Sequence, residues 1–515
     1  MAMKTPRYAL TNPVSLFLDK PASEFTRADL VKVVEEKPIE RVTFHYTAID
    51  GKLKELTVPV ADRHHLEAVL AEGERVDGSS LFKGMVDMSL SDLYVVPKYS
   101  TAFFSPFDEG SLDLVCRYLT KDGVPAPFTP DSILARAAAL FRKTSGLDLN
   151  ALGELEFFLL TSPADRSYPI EPHRGYHGSA PFAKSGAILH EMVAHITRTT
   201  GAVKYAHSEN GFIDSVRSDL PEIAGRLAEQ LEIEYLPRPI EEMADALVIG
   251  RWIIRNTAYR HGAVATFTPK LEEGVAGSGL HFHLELAKNG RSLMRGDDGK
   301  LTVEARKLVG GLCEYADSLT AFGNTVSSAY LRLVPNQEAP TRICWSDLNR
   351  SAMIRVPLGW SDLQHLAGKL NPQQSATFEE REGRQTVELR SPDGSAIVHL
   401  LLAGIAMAAE WGMSHHESLA IAEKLYVQGN IFKDKELLAT IAPLPKSCVE
   451  SARILAQKKD LYTRDGIFPE TVLDYVVHLL KEERDEEMNH YLMDLPADDR
   501  LHETRKIMHK DLHRH

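Results

Sequence analysis

Apolar and polar positions alternate along much of this chain, and the period of alternation changes from region to region. Arg41-Val42-Thr43-Phe44-His45-Tyr46-Thr47 alternates as a strand does, and Ile49-Asp50-Gly51-Lys52 supplies a turn before a second strand from Leu53 to Val60. Leu66 to Leu70 predicts a short helix, and the turn-rich stretch Gly123 to Pro130 reads as a boundary. Thr129-Pro130-Asp131 is a helix start, with a cap residue, proline at the first position and an acid in the first turn. Ile133, Leu134, Ala137, Ala138 and Phe141 then share one face, and Gly146 ends the helix. Glu241 to Ala258 predicts another helix, with Met243, Ala246, Leu247 and Ile254 on its apolar side. Short strands and helices mix up to residue 410, and after Ala396 the pattern turns mostly helical. The heavily charged stretch from Leu479 predicts a solvated helix and a flexible end. The resulting division is 1–125, 126–410 and a helical 411–515.

Four strand-like runs each present a polar pair. Glu154 and Glu156 alternate with Leu155 and Phe157; His281 and His283 flank Phe282; Glu388 and Arg390 flank Leu389; Glu232 and Glu234 flank Ile233. In a strand, residues two apart point to the same face, so each pair is displayed together. A single pair is what any half-exposed strand shows. Four pairs, one of them imidazoles on an otherwise apolar strand, suggest a shared site if their polar faces converge. Carboxylate oxygens with little sulfur favour Mg²⁺ or Mn²⁺ over zinc. Carboxylate-held metals together with arginines suit phosphoryl transfer, in which both kinds of cation meet phosphate charge.

Composition narrows the class. The chain has 515 residues, 43% of them hydrophobic, enough for a large core and about three domains, or two with one enlarged. Its 59 basic and 72 acidic side chains give a net charge of −13, which argues against nonspecific nucleic-acid binding. Cys116, Cys313, Cys344 and Cys448 form no CxxC pair, which excludes a disulfide framework and a cysteine zinc site and fits a reducing, cytoplasmic setting. The longest apolar run, Ala396 to Ala409, is too short to span a membrane and contains His399, and the N-terminal segment lacks a leader pattern. A soluble cytoplasmic enzyme is expected. There is no internal repeat and no GxxxxGK phosphate loop.

Six motifs in chain order carry a resemblance. They are Asp77-Gly78-Ser79-Ser80, Glu154-Leu155-Glu156-Phe157-Phe158, Gly277-Ser278-Gly279-Leu280-His281-Phe282-His283, Arg332-Leu333-Val334-Pro335-Asn336-Gln337-Glu338-Ala339-Pro340, Asn349-Arg350-Ser351-Ala352-Met353-Ile354-Arg355-Val356-Pro357, and Glu388-Leu389-Arg390-Ser391-Pro392-Asp393. Together they resemble the glutamine synthetase family, of the bacterial type I class. The resemblance implies an α+β fold: an N-terminal β-grasp domain over 1–125, then a catalytic domain built on a curved antiparallel sheet with helices. It implies ATP-dependent ligation of ammonia to L-glutamate through γ-glutamyl phosphate, with two Mg²⁺ (or Mn²⁺) ions per site. It also implies a homo-oligomer, a dodecamer of two stacked hexamers, whose active sites are completed by the neighbouring subunit.

Roles follow by motif position. One metal would be held by Glu156, Glu209 and Glu232, the other by Glu154, His281 and Glu388. Gly277, Arg332, Glu338 and Arg390 would bind glutamate, since a guanidinium matches a carboxylate bidentately. His283, Arg350 and Arg355 would contact ATP, with Arg350 stabilising the transferred phosphoryl group. Glu338 would lie in a flap that excludes water from the acyl phosphate. Asp77 and Ser80 from one subunit, with Tyr176 and Glu209 from the next, would bind ammonium, and Asp77 is the candidate base.

The chain also departs from the family pattern. His207-Ser208-Glu209 replaces the usual His-His-Glu, and the spacing of 23 from Glu209 to Glu232 implies an insertion over Gly211 to Ala228. A second insertion is expected near Leu363 to Thr377. Asn336 and Gln337 replace the flap's Gly-Tyr, Ala276 replaces an asparagine, Lys204 replaces a glutamate near the nucleotide, Leu81-Phe82 follows where Gly-Trp is usual, and Arg384 is the stand-in for a missing lysine. Tyr426 resembles an adenylylated tyrosine but lacks the Leu-Pro-Pro that follows it, so a packed tyrosine is favoured. Competing readings are a γ-glutamylamide synthetase using a polyamine or other amine, a guanidino kinase, and a non-catalytic relative; retention of all six metal-ligand candidates disfavours the last.

Overall fold

The computed structural model describes residues 7–86, 91–163, 167–171, 173–334, 339–359, 366–374, 385–429, 431–433 and 435–514. Six strands form the N-terminal sheet: β1 Arg41–Thr47, β2 Leu53–Pro59, β3 Glu74–Asp77, β4 Asp92–Pro97, β5 Phe103–Phe104 and β6 Ser111–Leu119. Their order is β2-β1-β6-β4-β3, with β5 on β6, and only the β1–β6 pair is parallel. The predicted turn at Asp50-Gly51 is there, with Gly51 at φ 82°. The predicted Leu66–Leu70 helix is longer, Arg63–Glu72, because Asp62 accepts from the His65 N–H at its start and Gly73 closes its end. Val42, Phe44, Leu112 and Leu114 are fully buried between this sheet and its helices.

The second sheet has ten strands: β7 Asp148–Thr161, β8 Val203–Ile213, β9 Leu227–Tyr235, β10 Arg238–Pro239, β11 Val264–Thr266, β12 Leu280–Lys288, β13 Arg291–Ser292, β14 Trp345–Asp347, β15 Ile354–Val356 and β16 Val387–Leu389. Its order is β14-β15-β16-β12-β7-β9-β8, and every pair but β14–β15 is antiparallel. Helices cover its apolar face. Pro130–Ser145 starts and ends where the sequence indicates, at Thr129 and at a left-handed Gly146. Ile240–Arg260 lies against β7, and the apolar run from Ala396 is the buried helix Val398–Ser414, packed on Pro130–Ser145 and Val303–Gly323. Among the described residues no helix is long and apolar enough to cross a membrane.

The C-terminal stretch corrects one expectation. It is not a solvated helix with a flexible end but an ordered pair of helices, Met488–Asp494 and Ala497–His509, docked on the second sheet. Met508 is fully buried and Leu512 is 2% exposed, and the carbonyls of both accept hydrogen bonds from Thr268 and Thr266 (2.9 and 2.8 Å). Leu512 joins Phe158, Leu160, Ile213, Val216, Ile223 and Leu271 in a small apolar cluster. The charged residues of this stretch meet distant partners, Arg505 with Glu272 and both Lys510 and Arg514 with Glu483.

Candidate active site

The four polar pairs fall on four neighbouring strands. In the order β16-β12-β7-β9, His283 stands opposite Glu388, His281 opposite Glu154, Glu154 opposite Glu234, and Glu156 opposite Glu232. Directly opposed residues share a face, so the register puts all the polar pairs on one surface and sends Leu155, Phe157, Phe282 and Ile233 into the core. That surface floors a cavity of about 830 Å³.

Two groups of possible ligands sit on the floor. The first is Glu154, His281 and Glu388; the second is His207, Glu209 and Glu232; within each, one nitrogen or oxygen per residue lies within 4.8 Å of the others. The first is the expected set. The second substitutes His207 for the expected Glu156, which instead accepts from the Gly279 N–H (2.8 Å) and from the Gln230 amide (3.1 Å). Between Ser208 and Phe212 the β8–β9 register shifts by a bulge, and Glu209 sits at it. His207 Nε2 is 2.9 Å from Glu232.

Burial and crowding set the electrostatics. Burial, then the charges of Glu156 and Glu232, push Glu209 up to about 8. Burial, with Glu154 and Glu156, raises Glu232 well above the usual carboxyl range. Burial alone would also raise Glu154, but the imidazoles of His283 and His281 outweigh it and hold that carboxyl well down. His283 bonds Glu154 through Nε2 (2.9 Å) and Thr386 through Nδ1 (2.8 Å). Buried carboxylates that repel one another, with imidazoles beside them, make a donor set that fits a hard divalent cation in each group.

The arginines line the same cavity. Arg332 is buried and donates to the carbonyls of Ser391 (3.0 Å) and Arg390 (3.3 Å). Arg355 and Arg390 each donate to one oxygen of Glu388 (2.8 and 3.1 Å), and Arg390 also bonds the Arg350 carbonyl. Arg350 is exposed at the rim. Gly277 lies on the wall, where a side chain would run into Arg332. Tyr176 also lines the cavity, its ring 5.3 Å from that of His207. Ser208, at the place of the usual second histidine, donates to the Gly175 carbonyl (2.7 Å) and so fixes the residue before Tyr176.

Asp77 and Ser80 are not among the cavity-lining residues. Asp77 sits exposed on the N-terminal sheet, where hydrogen bonds from Ser79 and Ser80, joined by Ser91, lower it to about 2. Glu338 and Arg384 lie outside the described residues; of the stretch Leu363 to Thr377, residues 366–374 are described and include the short helix Leu366–Leu370. The stretch Gly211–Ala228, where an insertion is expected, closes the β8–β9 hairpin with a loop over 214–226. Lys204 bonds Glu234 (2.5 Å), and Tyr426 packs on Trp345 and bonds Asp347. Sequence reasoning missed His207 and Gln230. Both lie two residues before a residue it chose, Glu209 and Glu232, so the same alternation contained the signal.

Comparison with known proteins follows from this geometry. Residues 128–495 match the family model described as "Glutamine synthetase, catalytic domain", and 38–121 match "Glutamine synthetase, beta-Grasp domain". A glutamine synthetase of Methylococcus capsulatus is 28% identical over 486 residues, 89% of this chain and 96% of that protein. A 3-hydroxylaminophenol mutase of Cupriavidus pinatubonensis is also 28% identical, over 481 residues, 88% of this chain and 95% of that protein. In three dimensions a glutamine synthetase of Plasmodium falciparum superposes with a TM-score of 0.70 at 21% identity, covering 92% of this chain and 98% of that one. A β-grasp domain joined to a curled, metal-ready sheet defines the class, an α+β ligase fold. The chain belongs to the glutamine synthetase family.

Proposed function

We propose that this enzyme ligates ammonia to L-glutamate, using ATP to form γ-glutamyl phosphate and releasing glutamine, ADP and phosphate. The observation that carries the reading is the floor of the cavity, where two groups of His and Glu ligands lie beneath Arg332, Arg350, Arg355 and Arg390. Glu154, His281 and Glu388 would hold one divalent ion, and His207, Glu209 and Glu232 the other, with Glu156 close by. Mg²⁺ or Mn²⁺ bound there would offset phosphate charge and polarise the transferring oxygen.

The protein's own groups supply the rest. Arg332 and Arg390 orient the substrate's carboxylates, beside Gly277, whose missing side chain leaves them room. Arg350 and Arg355 face the transferred phosphoryl group, and for this Arg355 must turn from Glu388 to phosphate oxygen. His283, pinned by Glu154 and Thr386, presents a fixed ring edge to the nucleotide. By its motif position Glu338 would act on the acyl phosphate, keeping water from it. Tyr176 and Glu209 form one half of an ammonium pocket, and Asp77 and Ser80 of a neighbouring copy form the other. Asp77, ionised by its hydroxyl partners, binds the cation; to accept its proton it must first give up those hydrogen bonds. A ring assembly of two hexamers supplies this second half.

A second reading replaces ammonia by a larger amine. It is supported by Tyr176 and Tyr205, 51% and 46% exposed beside Glu209, which leave space on the acceptor side. Phosphate release from ATP with glutamate and Mg²⁺ decides between them, measured with ammonia, methylamine and a polyamine. Ammonia should give the highest kcat/KM; turnover with a larger amine and none with ammonia overturns the proposal.

A further inference from the structure

A second cavity, of about 580 Å³, lies between the hairpin loop 214–226 and the C-terminal helix Ala497–His509. That size suits a small molecule. The helix begins beyond residue 495, where the family match stops, and the loop closes the β8–β9 hairpin.

Its floor is built. His509 is 3% exposed, with Nε2 2.9 Å from the Leu271 carbonyl and Nδ1 2.9 Å from the Ser218 hydroxyl, so the two sides are tied together beneath the opening. Val216, Leu220 and Ala224 give it an apolar wall. Its charges are one-sided. Arg217, Arg505, Lys506 and Lys510 line it against the single carboxylate of Asp219, and His502 lies beside them. The carboxylates that balance three of these cations, Glu272, Glu503 and Glu483, are not in the lining and hold them from behind. Arg505 gives Glu272 only its Nε, and Arg217 has no hydrogen bond or ion pair among the described residues. A guanidinium carries five donors in a planar fork, so both arginines keep donors for an incoming group.

We propose that this cavity binds a small organic dianion, with two negative charges on oxygens of a compact carbon-based molecule, and that its occupancy is coupled to the candidate active site. The coupling is structural. The loop joins β8, which carries His207 and Glu209, to β9, which carries Glu232. A ligand that bridges Arg217 on the loop to Lys506 on the helix draws the hairpin toward the helix and shifts the bulge at Glu209. Phosphomonoesters and dicarboxylates share this chemistry, and the probes distinguish them.

The test is calorimetric titration of the full-length protein with glucose 6-phosphate and with succinate, at constant ionic strength, alongside the double variant R217A/K506A. Both replaced side chains reach the protein surface, and the folding of the variant is checked by its melting temperature. At least one probe should bind saturably, at least ten-fold more weakly to the variant, and change the KM for the acceptor amine in the parent but not in the variant. No saturable binding of either probe overturns the site, as does equal binding to parent and variant. Saturable, variant-sensitive binding with no change in any steady-state constant overturns the coupling. Titration without substrates reads the site whatever the reaction proves to be, so its failure is separable from failure of the proposed reaction.

Discussion

Gly279 offers a way to disturb the first ligand group without removing a ligand. Its N–H donates to Glu156 (2.8 Å), its carbonyl accepts from the Glu156 N–H (3.1 Å), and its backbone bridges to Asp393. A Cβ added there would lie 2.6 Å from His281 Nε2 and 2.8 Å from Arg332 Nη2, where ordinary contact begins at 3.4 Å. Gly279→Ala must therefore push the His281 ring by about 0.8 Å, the difference between 3.4 and 2.6 Å. His281 sits between Glu154 (3.0 Å) and Glu388 (3.7 Å) and has nowhere to yield without moving both. A misplacement near 1 Å can cost about 100-fold in rate, and disturbing the support of a ligand costs about 10–100-fold in metal affinity. We expect kcat/KM for ATP-dependent turnover to fall about 30- to 100-fold and the Mn²⁺ dissociation constant to rise about ten-fold or more. Overpacking should cost roughly 1–3 kcal/mol of stability, visible as a modest drop in melting temperature. Gly186→Ala is the control, since a Cβ there meets nothing within 4 Å. Metal titration followed by tryptophan fluorescence, with coupled phosphate release, reads both effects. Normal activity with normal Mn²⁺ affinity in Gly279→Ala would remove His281 from the site.

Glu156→Gln and Glu388→Gln should each abolish ATP turnover while leaving far-ultraviolet circular dichroism unchanged; near-normal phosphate release from either refutes the assignment. Leu512→Ala should destabilise by about 2–4 kcal/mol because it empties a buried cluster, and an unchanged thermal midpoint would show that the terminus is undocked in solution. The metal-stripped protein should lose stability with rising pH. Glu209 keeps its proton to about 8 when folded but only to about 4.3 when unfolded. Its contribution is therefore complete below about pH 4 and lost as pH rises through about 8. Melting temperatures from pH 5 to 9 check this, and Glu209→Gln should flatten the curve; an equal slope in the variant assigns it to other groups.

Much of the second sheet was legible because a strand displays its chemistry every second residue. Glu154 and Glu156, His281 and His283, and Glu232 and Glu234 could be placed on common faces from spacing alone, and the register then joined those faces. The docking of the C-terminal helices was not legible. Arg505, Lys510 and Arg514 look solvated when only their neighbours in sequence are considered, yet their partners Glu272 and Glu483 lie 233, 27 and 31 residues away. No local periodicity encodes such pairings. Alternation puts Gln230 on the face of Glu232, but that it holds Glu156 could be read only once β7 and β9 are side by side. Asp77 and Ser80 mark a further limit, because one chain shows them only as an exposed, self-satisfied turn.

The register of β7 also constrains how this protein could have diverged. Glu154 and Glu156 share a strand with Leu155 and Phe157, and a slip of one residue would drive the acids into the core and the core residues into the cavity. Insertion or deletion within these strands is thus closed as a path to new chemistry, and the floor can change only by replacement in place. Length can vary where strands end, at the β8–β9 turn and after β15, the two places where the sequence reading expects insertions. Novelty in such a scaffold gathers at its hinges and rims, while the pleat holds the reacting groups in a fixed alphabet.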